Sequence, residues 1–425
     1  MTLQANPQKA TQPVFYQKIE CRYCRSPLPD PFLDLGTMPP ANSFLTKEEL
    51  RNEEFVCPLR LCWCPVCKLV QLSHVVPADR MFANYLYVSS TTQTFKKHFS
   101  DYARMAKTRL GAAKPQVLAV DIGSNDGLLL SCYQNEGFKA VGVEPAGNLS
   151  EGANQKGLRT IHGYFGSWAV EKILKDFGSA DIISANNVFA HIDDIHQVCR
   201  NVGRLLDPQG IFIIEFPYLV IMCEEMLFDM VYHEHLSYIA VTPLQFLLKE
   251  FGLEIFAIER VASHGGSLRV FIQKKNGGHL RSSEVETFVK EEREKGYGSA
   301  PLYQEFAQRV LEVKKNTVGF VRQLKSQGKS ISGYGAPAKG NTLINFCAFT
   351  PSQIDFVVDD NPLKQNLFTP GARIPVVPAE YLLDHPTDCV ILFAWNFAEE
   401  IIRKLEVLQK KRVQFIVPLP KPRIV

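Results

Sequence analysis

The chain has 425 residues, 46% of them hydrophobic, with 47 Lys and Arg against 44 Asp and Glu and a formal net charge of +3. That supplies core for two or three domains, and the near balance of charge leaves no basic footprint for nucleic acid. No signal-like N-terminus is present, and the apolar run 211–222 is interrupted by Glu215 and Pro217, so the expectation is a cytoplasmic protein that does not enter a membrane. Its eleven cysteines are then thiols or metal ligands rather than disulfides.

Residues 1–80 hold six of the cysteines and many prolines, a loop-rich composition that needs a metal to hold it together. Cys21-Arg-Tyr-Cys24 and Cys64-Pro-Val-Cys67 are two C-x-x-C pairs, in which a tight turn presents both sulfurs to one ion. Four thiolates leave no open coordination position, so Cys21, Cys24, Cys64 and Cys67 are expected to hold a structural zinc, with Cys57, Cys62 and His74 as decoys or alternates and Cys62 able to replace Cys64 only at an unusual spacing. The residues after the second pair, Leu69, Val70, Leu72, Val75 and Val76, are apolar and suit packing better than phosphate.

Residues 81–280 alternate strand and helix patterns, with strands expected at 116–122, 140–144, 182–186 and 210–215. The first runs through Asp121 into Gly123-Ser-Asn125-Asp126-Gly127 and then a helix, where the glycines let backbone approach a ligand and Asn125 tolerates a strained turn. The second strand ends in Glu144, a carboxylate suited to accepting both ribose hydroxyls of a nucleoside. Dinucleotide enzymes share that acid, but an acidic strand end followed by G-S-N-D-G differs from G-x-G-x-x-G, and Asp126 would repel a pyrophosphate. The loop resembles the first motif of class I methyltransferases better, and that resemblance implies S-adenosylmethionine as the ligand, with Asn187, just after the third strand, also near it. Further on come Tyr232-His233-Glu234-His235 and His264-Gly-Gly-Ser-Leu-Arg269. The two histidines two apart do not share a helical face as a metal motif requires, so acid–base chemistry fits the cluster better.

Residues 281–425 begin with a charged helical stretch over 282–327, broken near 296–301, and continue as a second α/β unit with strands at 330–334, 353–359, 389–394 and 414–418. Gly333-Tyr-Gly335-Ala-Pro337-Ala-Lys339-Gly-Asn341 reads as strand, glycine turn and helix, with Pro337 in the first turn and amides there favouring an anion. Trp395 and Asn396 fall at a strand end, where such sheets bind ligands.

Taken together, the C-x-x-C pairs, the Asp121–Gly127 loop, the Y-x-E-H core, the H-G-G-S-x-R stretch and the glycine-rich turn at 333–341 resemble deoxysugar C-methyltransferases along the whole chain. The nearest known type acts at C3 of thymidine-diphosphate 4-keto-deoxyhexoses. The resemblance implies a class I methyltransferase Rossmann-like domain, a small N-terminal zinc-binding domain and a C-terminal Rossmann-like α/β lobe that grips the nucleotide sugar. It implies substrate contacts at Gly335, Lys339, Asn341, His264 and Arg269, and a protein that is a monomer or weak homo-oligomer. The chemistry needs a base beside a ketone and a donor for the enolate oxygen. His235 is the candidate base, with Glu234 orienting it or sharing the proton, Tyr232 donating to the oxygen and His191 assisting from the opposite wall; His233 has no assigned part. O- or N-methylation, nicotinamide oxidoreduction and zinc-ribbon nucleic-acid binding are the rival readings.

Overall fold

A computed structural model of the chain describes residues 14–82, 88–91, 93–111, 116–410 and 412–425. Within the N-terminal block three short strands, β1 (Leu33–Met38), β2 (Cys57–Trp63) and β3 (Val70–Leu72), pair antiparallel. All three residues of β3 are buried, and Leu33, Leu35, Leu59 and Leu61 fill the space beside it.

The central unit carries β4 (Leu118–Ile122), β5 (Lys139–Glu144), β6 (Thr160–His162), β7 (Ala180–Asn186) and β8 (Leu206–Pro217). After these come β9 (Ser237–Tyr238), β10 (Leu253–Val261) and β11 (Ser267–Lys274). Seven of them form one sheet in the order β10-β11-β8-β7-β4-β5-β6, parallel except for β11, which runs antiparallel to both neighbours. Leu-Ala-Val-Asp-Ile of β4 is buried at every position, as a strand covered on both faces must be. The helix Gln93–Leu110 covers one face with Phe99, Tyr102, Ala103 and Ala106, which join Ile213, Phe256 and Phe271 in a common core.

The helices Glu284–Glu294 and Ala300–Ser326, with their break at Gly296, lead to the third unit. Its strands β12 (Ile331–Tyr334), β13 (Val357–Val358), β14 (Val376–Val377), β15 (Cys389–Leu392), β16 (Gln414–Val417) and β17 (Arg423–Ile424) are ordered β14-β13-β12-β15-β16-β17. The strand expected over 353–359 shrinks to Val357–Val358, because 351–353 form a turn before it. β12 and β15 are neighbours whose following loops part to opposite sides, so a crevice opens at their carboxyl ends. No described helix is long and apolar enough to cross a membrane.

The first and second units share a sheet. β9 lies just after the Tyr232–His235 cluster in the chain but pairs with β3, so the N-terminal sheet has the order β9-β3-β2-β1.

Candidate active site

Each C-x-x-C pair closes a turn in which the residue after it adopts positive φ: Arg25 at 60° and Lys68 at 70°. Their amides bond back to Cys21 O and Cys64 O at 2.9 Å, so the two turns are near copies. The four sulfurs lie within 4.8 Å of one another, with Cys21–Cys67 and Cys24–Cys64 each at 3.4 Å. A tetrahedral zinc with bonds of about 2.3 Å asks for sulfurs about 3.8 Å apart, so this donor set fits the ion. Gln71 Nε2 donates to Cys21 Sγ at 3.1 Å, an outer-shell bond of the usual kind. Cys57 and Cys62 stay in β2, where burial pushes each thiol up to about 12, and neither they nor His74 join the cluster.

At the carboxyl ends of β4 and β5 the loop after Asp121 bends through Gly123, Asn125 and Gly127, at φ 66°, 52° and 82°. A Cβ at Gly123 would lie 2.6 Å from Val188 Cγ2, so only glycine fits beside that neighbour. Glu144 accepts the Asn125 amide on Oε2 and the Ala146 amide on Oε1, both at 2.8 Å, and burial raises its pKa above the ordinary carboxylate value. Asp121 accepts Ser184 Oγ at 2.6 Å, and burial pushes its carboxyl up to about 7. Both amide atoms of Asn186, Oδ1 of Asn187, Oγ of Ser124 and Oδ1 of Asp126 are buried without a partner among the described residues. Ser89, Phe99, Asp121, Gly123, Asn125 and Asn186 line one cleft there. Unpaired polar atoms around a glycine-bent loop suit a polar ligand such as S-adenosylmethionine.

The second cluster sits on the segment between β8 and β9. Nδ1 of His235 is 2.8 Å from Met230 O; a carbonyl only accepts, so Nδ1 carries the proton. In the neutral ring Nε2 is then the acceptor for the Tyr232 hydroxyl, also at 2.8 Å. His191 does not face His235 across the site as expected; its ring packs against it at 5.0 Å, because the turn Phe189–His191 is pinned beside the segment by Leu236 N to Ala190 O. Glu234, only 3% exposed, accepts Asn42 Nδ2 at 2.6 Å. His233 donates from Nε2 to Cys57 O at 3.0 Å, and burial lowers it to about 4, a neutral strut to the N-terminal unit.

In the third unit Gly335 bends at φ 88° with no room for a Cβ beside Ala394. Lys339 lies over the Trp395 ring at 4.7 Å and bonds Asn396 Oδ1, bringing three of the sequence candidates to the crevice. Trp395 Nε1 donates to the buried Asp229 at 2.7 Å. Two candidates turn inward instead of toward a ligand. Arg269 is consumed by Glu215, which accepts its Nε and Nη2 at 3.1 and 2.9 Å, and it stacks on Tyr102 at 4.5 Å. Asn341, fully buried, donates to Ala41 O at 2.8 Å. The side chain of His264 lies outside the described residues.

Sequence reasoning missed Asn42, Asp229 and the trio His98, Glu215 and Ser263. His98 Nε2 and Ser263 Oγ meet Glu215 Oε1 at 3.0 and 2.9 Å. A carboxylate inside the apolar run 211–217 was a signal available in the sequence, since a fully buried charge needs partners; Asn42 carried none.

The fold and the comparisons agree on the class. Residues 93–258 match the family described as a methyltransferase domain, 21–82 match a zinc binding domain and 262–420 match a C-methyltransferase C-terminal domain. The chain is a class I S-adenosylmethionine-dependent methyltransferase with an added zinc-binding domain. Over 409 residues it is 36% identical to the C-methyltransferase NovU of Streptomyces niveus, covering 96% of both chains. It belongs to that C-methyltransferase family. A ubiquinone biosynthesis O-methyltransferase of Azorhizobium caulinodans is 29% identical over 157 residues, 36% of this chain and 55% of its own. Among solved structures, an S-adenosylmethionine-dependent methyltransferase from Clostridium acetobutylicum aligns over 43% of this chain and 92% of its own, with 15% identity and a TM-score of 0.35.

Proposed function

We propose that the chain methylates a carbon beside the ketone, C3 of the ring, of a nucleoside-diphosphate 4-keto-deoxysugar. The observation that carries this is the Tyr232–His235 pair, in which Met230 O fixes the imidazole so that Nε2 faces a phenol at 2.8 Å. A carbon nucleophile needs a proton removed first, and an imidazole of fixed tautomer beside a hydroxyl suits both removing that proton and donating to the enolate oxygen. Bound S-adenosylmethionine supplies an electrophilic methyl group. Asp121, Gly123, Asn125, Gly127, Glu144 and Asn187 would hold it, and keeping donor and carbon together would lower the barrier through proximity. Tyr232 or Glu234 can serve in the proton transfer with His235, and the ring of His191 supports His235 from behind. Lys339 and the amides opening the helix Ala338–Phe346 suit the diphosphate, with Trp395 beside them. Eleven cysteines outside any disulfide, four of them suited to zinc, fit a reducing, cytoplasmic setting.

Incubation of the keto sugar with enzyme in deuterated water, without methyl donor, tests the reading. Exchange at the carbon beside the ketone is expected. Its absence from an enzyme that methylates the same sugar would leave O-methylation in its place.

A further inference from the structure

We propose that Asn42, in the cysteine-rich N-terminal domain, is a positioning residue of the active site, whose side-chain amide holds the Glu234 carboxylate in its working pose. The inference rests on the carbon-methylation reading above and adds to it a residue from a domain otherwise given only a structural part.

Asn42 and Glu234 are 192 positions apart, yet Nδ2 and Oε1 meet at 2.6 Å. The bond is no accident of two exposed side chains, because Glu234 is 3% exposed and its segment is held on both sides. His233 is tied to Cys57 O, and Leu72 N bonds Leu236 O at 3.0 Å. The Asn42 side is held as firmly. Pro39 and Pro40 restrict the approach of the chain. Asn341 fixes Ala41 O at 2.8 Å, and Leu45 and Phe368 exchange both backbone bonds at 3.0 and 2.8 Å. Phe44 carries Lys364 over its ring at 5.3 Å, and that ammonium acts electrostatically on Glu234 from the third unit while bonding Ala336 O at 2.9 Å. Three units of the chain thus converge on one carboxylate.

The residue type matters. An amide donor fixes a carboxylate oxygen without adding a further charge to that of Lys364, so the orientation of Glu234 is set by a neutral group. A lysine or arginine there would orient it and neutralise it together. The shared segment 41–45 also explains why Asn341 faces inward: it holds the strap that presents Asn42.

The test uses the full-length zinc-loaded enzyme and the exchange of substrate carbon-bound hydrogen for solvent deuterium, with zinc content and S-adenosylhomocysteine affinity measured in parallel. Asn42→Ala should slow exchange by about ten- to a hundredfold, the worth of a hydrogen bond to a charged group. Zinc content and S-adenosylhomocysteine affinity should stay at wild-type values. Asn42→Asp, the closest match in shape, should be slower still, because it sets a second carboxylate against Glu234; a packing role ranks the two variants the other way. In a Glu234→Ala background Asn42→Ala should add no further loss. An Asn42→Ala exchange rate within twofold of wild type, an Asn42→Asp variant faster than Asn42→Ala, or a full additional loss in the Glu234→Ala background overturns the inference. A wild-type enzyme that methylates but exchanges nothing overturns the carbon-methylation reading beneath it, which is a separate result.

Discussion

Replacing Arg22 by Met should loosen the zinc turn and the His191 turn together. Arg22 lies between the first two zinc ligands in a fully buried position, and its guanidinium reaches three acceptors: Asp193 Oδ1 at 2.9 Å, Gln71 Oε1 at 3.1 Å and Leu72 O at 2.6 Å. Methionine keeps the apolar stem and removes the charge. Breaking one side of a buried ion pair costs about 3–5 kcal/mol, since the remaining charge stays desolvated. Asp193 keeps Lys18 at 2.9 Å and Tyr16 at 2.7 Å on its other oxygen, so the lower end applies. About 3 kcal/mol is roughly a 150-fold change in an opening equilibrium. Hydrogen exchange read peptide by peptide is the suitable assay, because a chain of three units does not unfold in one step. Protection should fall by about that factor both in peptides covering Cys21–Cys24 and in those covering Phe189–His191, while the third unit is unchanged. Protection within threefold of wild type in either region refutes the linkage.

Other perturbations have equally definite outcomes. Gly123→Ala forces a positive φ costing about 1 kcal/mol and a contact of 2.6 Å with Val188, so S-adenosylhomocysteine affinity by calorimetry should fall at least about tenfold; equal affinity refutes the loop assignment. Tyr232→Phe should slow substrate deuterium exchange by about a hundredfold or more while leaving that affinity intact, and unaltered exchange removes the phenol from the chemistry. Burial raises the Asp121 carboxyl, so the neutral acid is the form the fold favours. Its stabilisation is fully present below about pH 4 and is lost as pH rises through about 7; Asp121→Asn should flatten that part of the ligand-free melting profile, and an unchanged profile counts against it. A metal-sensitive dye with a thiol-blocking reagent should release about one zinc per chain, and release of none contradicts the four-thiol site.

Local chemistry was the legible part of the sequence. A C-x-x-C pair, a glycine-bent loop after a buried strand and a Tyr-x-Glu-His run each carry their geometry within a few residues, and the structure brings the four sulfurs, the Asp121–Gly127 loop and Tyr232 with His235 together as groups. What stayed hidden depends on which distant segments meet. Arg269 reads as a substrate contact until β11 sets it opposite Glu215, and Asn341 reads as one until the strap at Ala41 takes up its amide. Nothing near His191 in the chain reveals that Leu236 pins its turn beside His235 rather than across the site. His98 meets Glu215 only after the long helix Gln93–Leu110 lies across the sheet.

The pairing of β9 with β3 joins Ser237 to Gln71 and Tyr238 to Val70. During synthesis the cysteine-rich block leaves the ribosome roughly 165 residues before the strand that completes its sheet. At about 5–20 residues per second that is on the order of ten seconds or more. Until then β3 offers one row of bare backbone donors and acceptors, an open edge that invites pairing with other chains. The nascent protein therefore has a defined period of vulnerability, and a pause or truncation between those two strands should send it toward aggregation rather than toward a stable fragment.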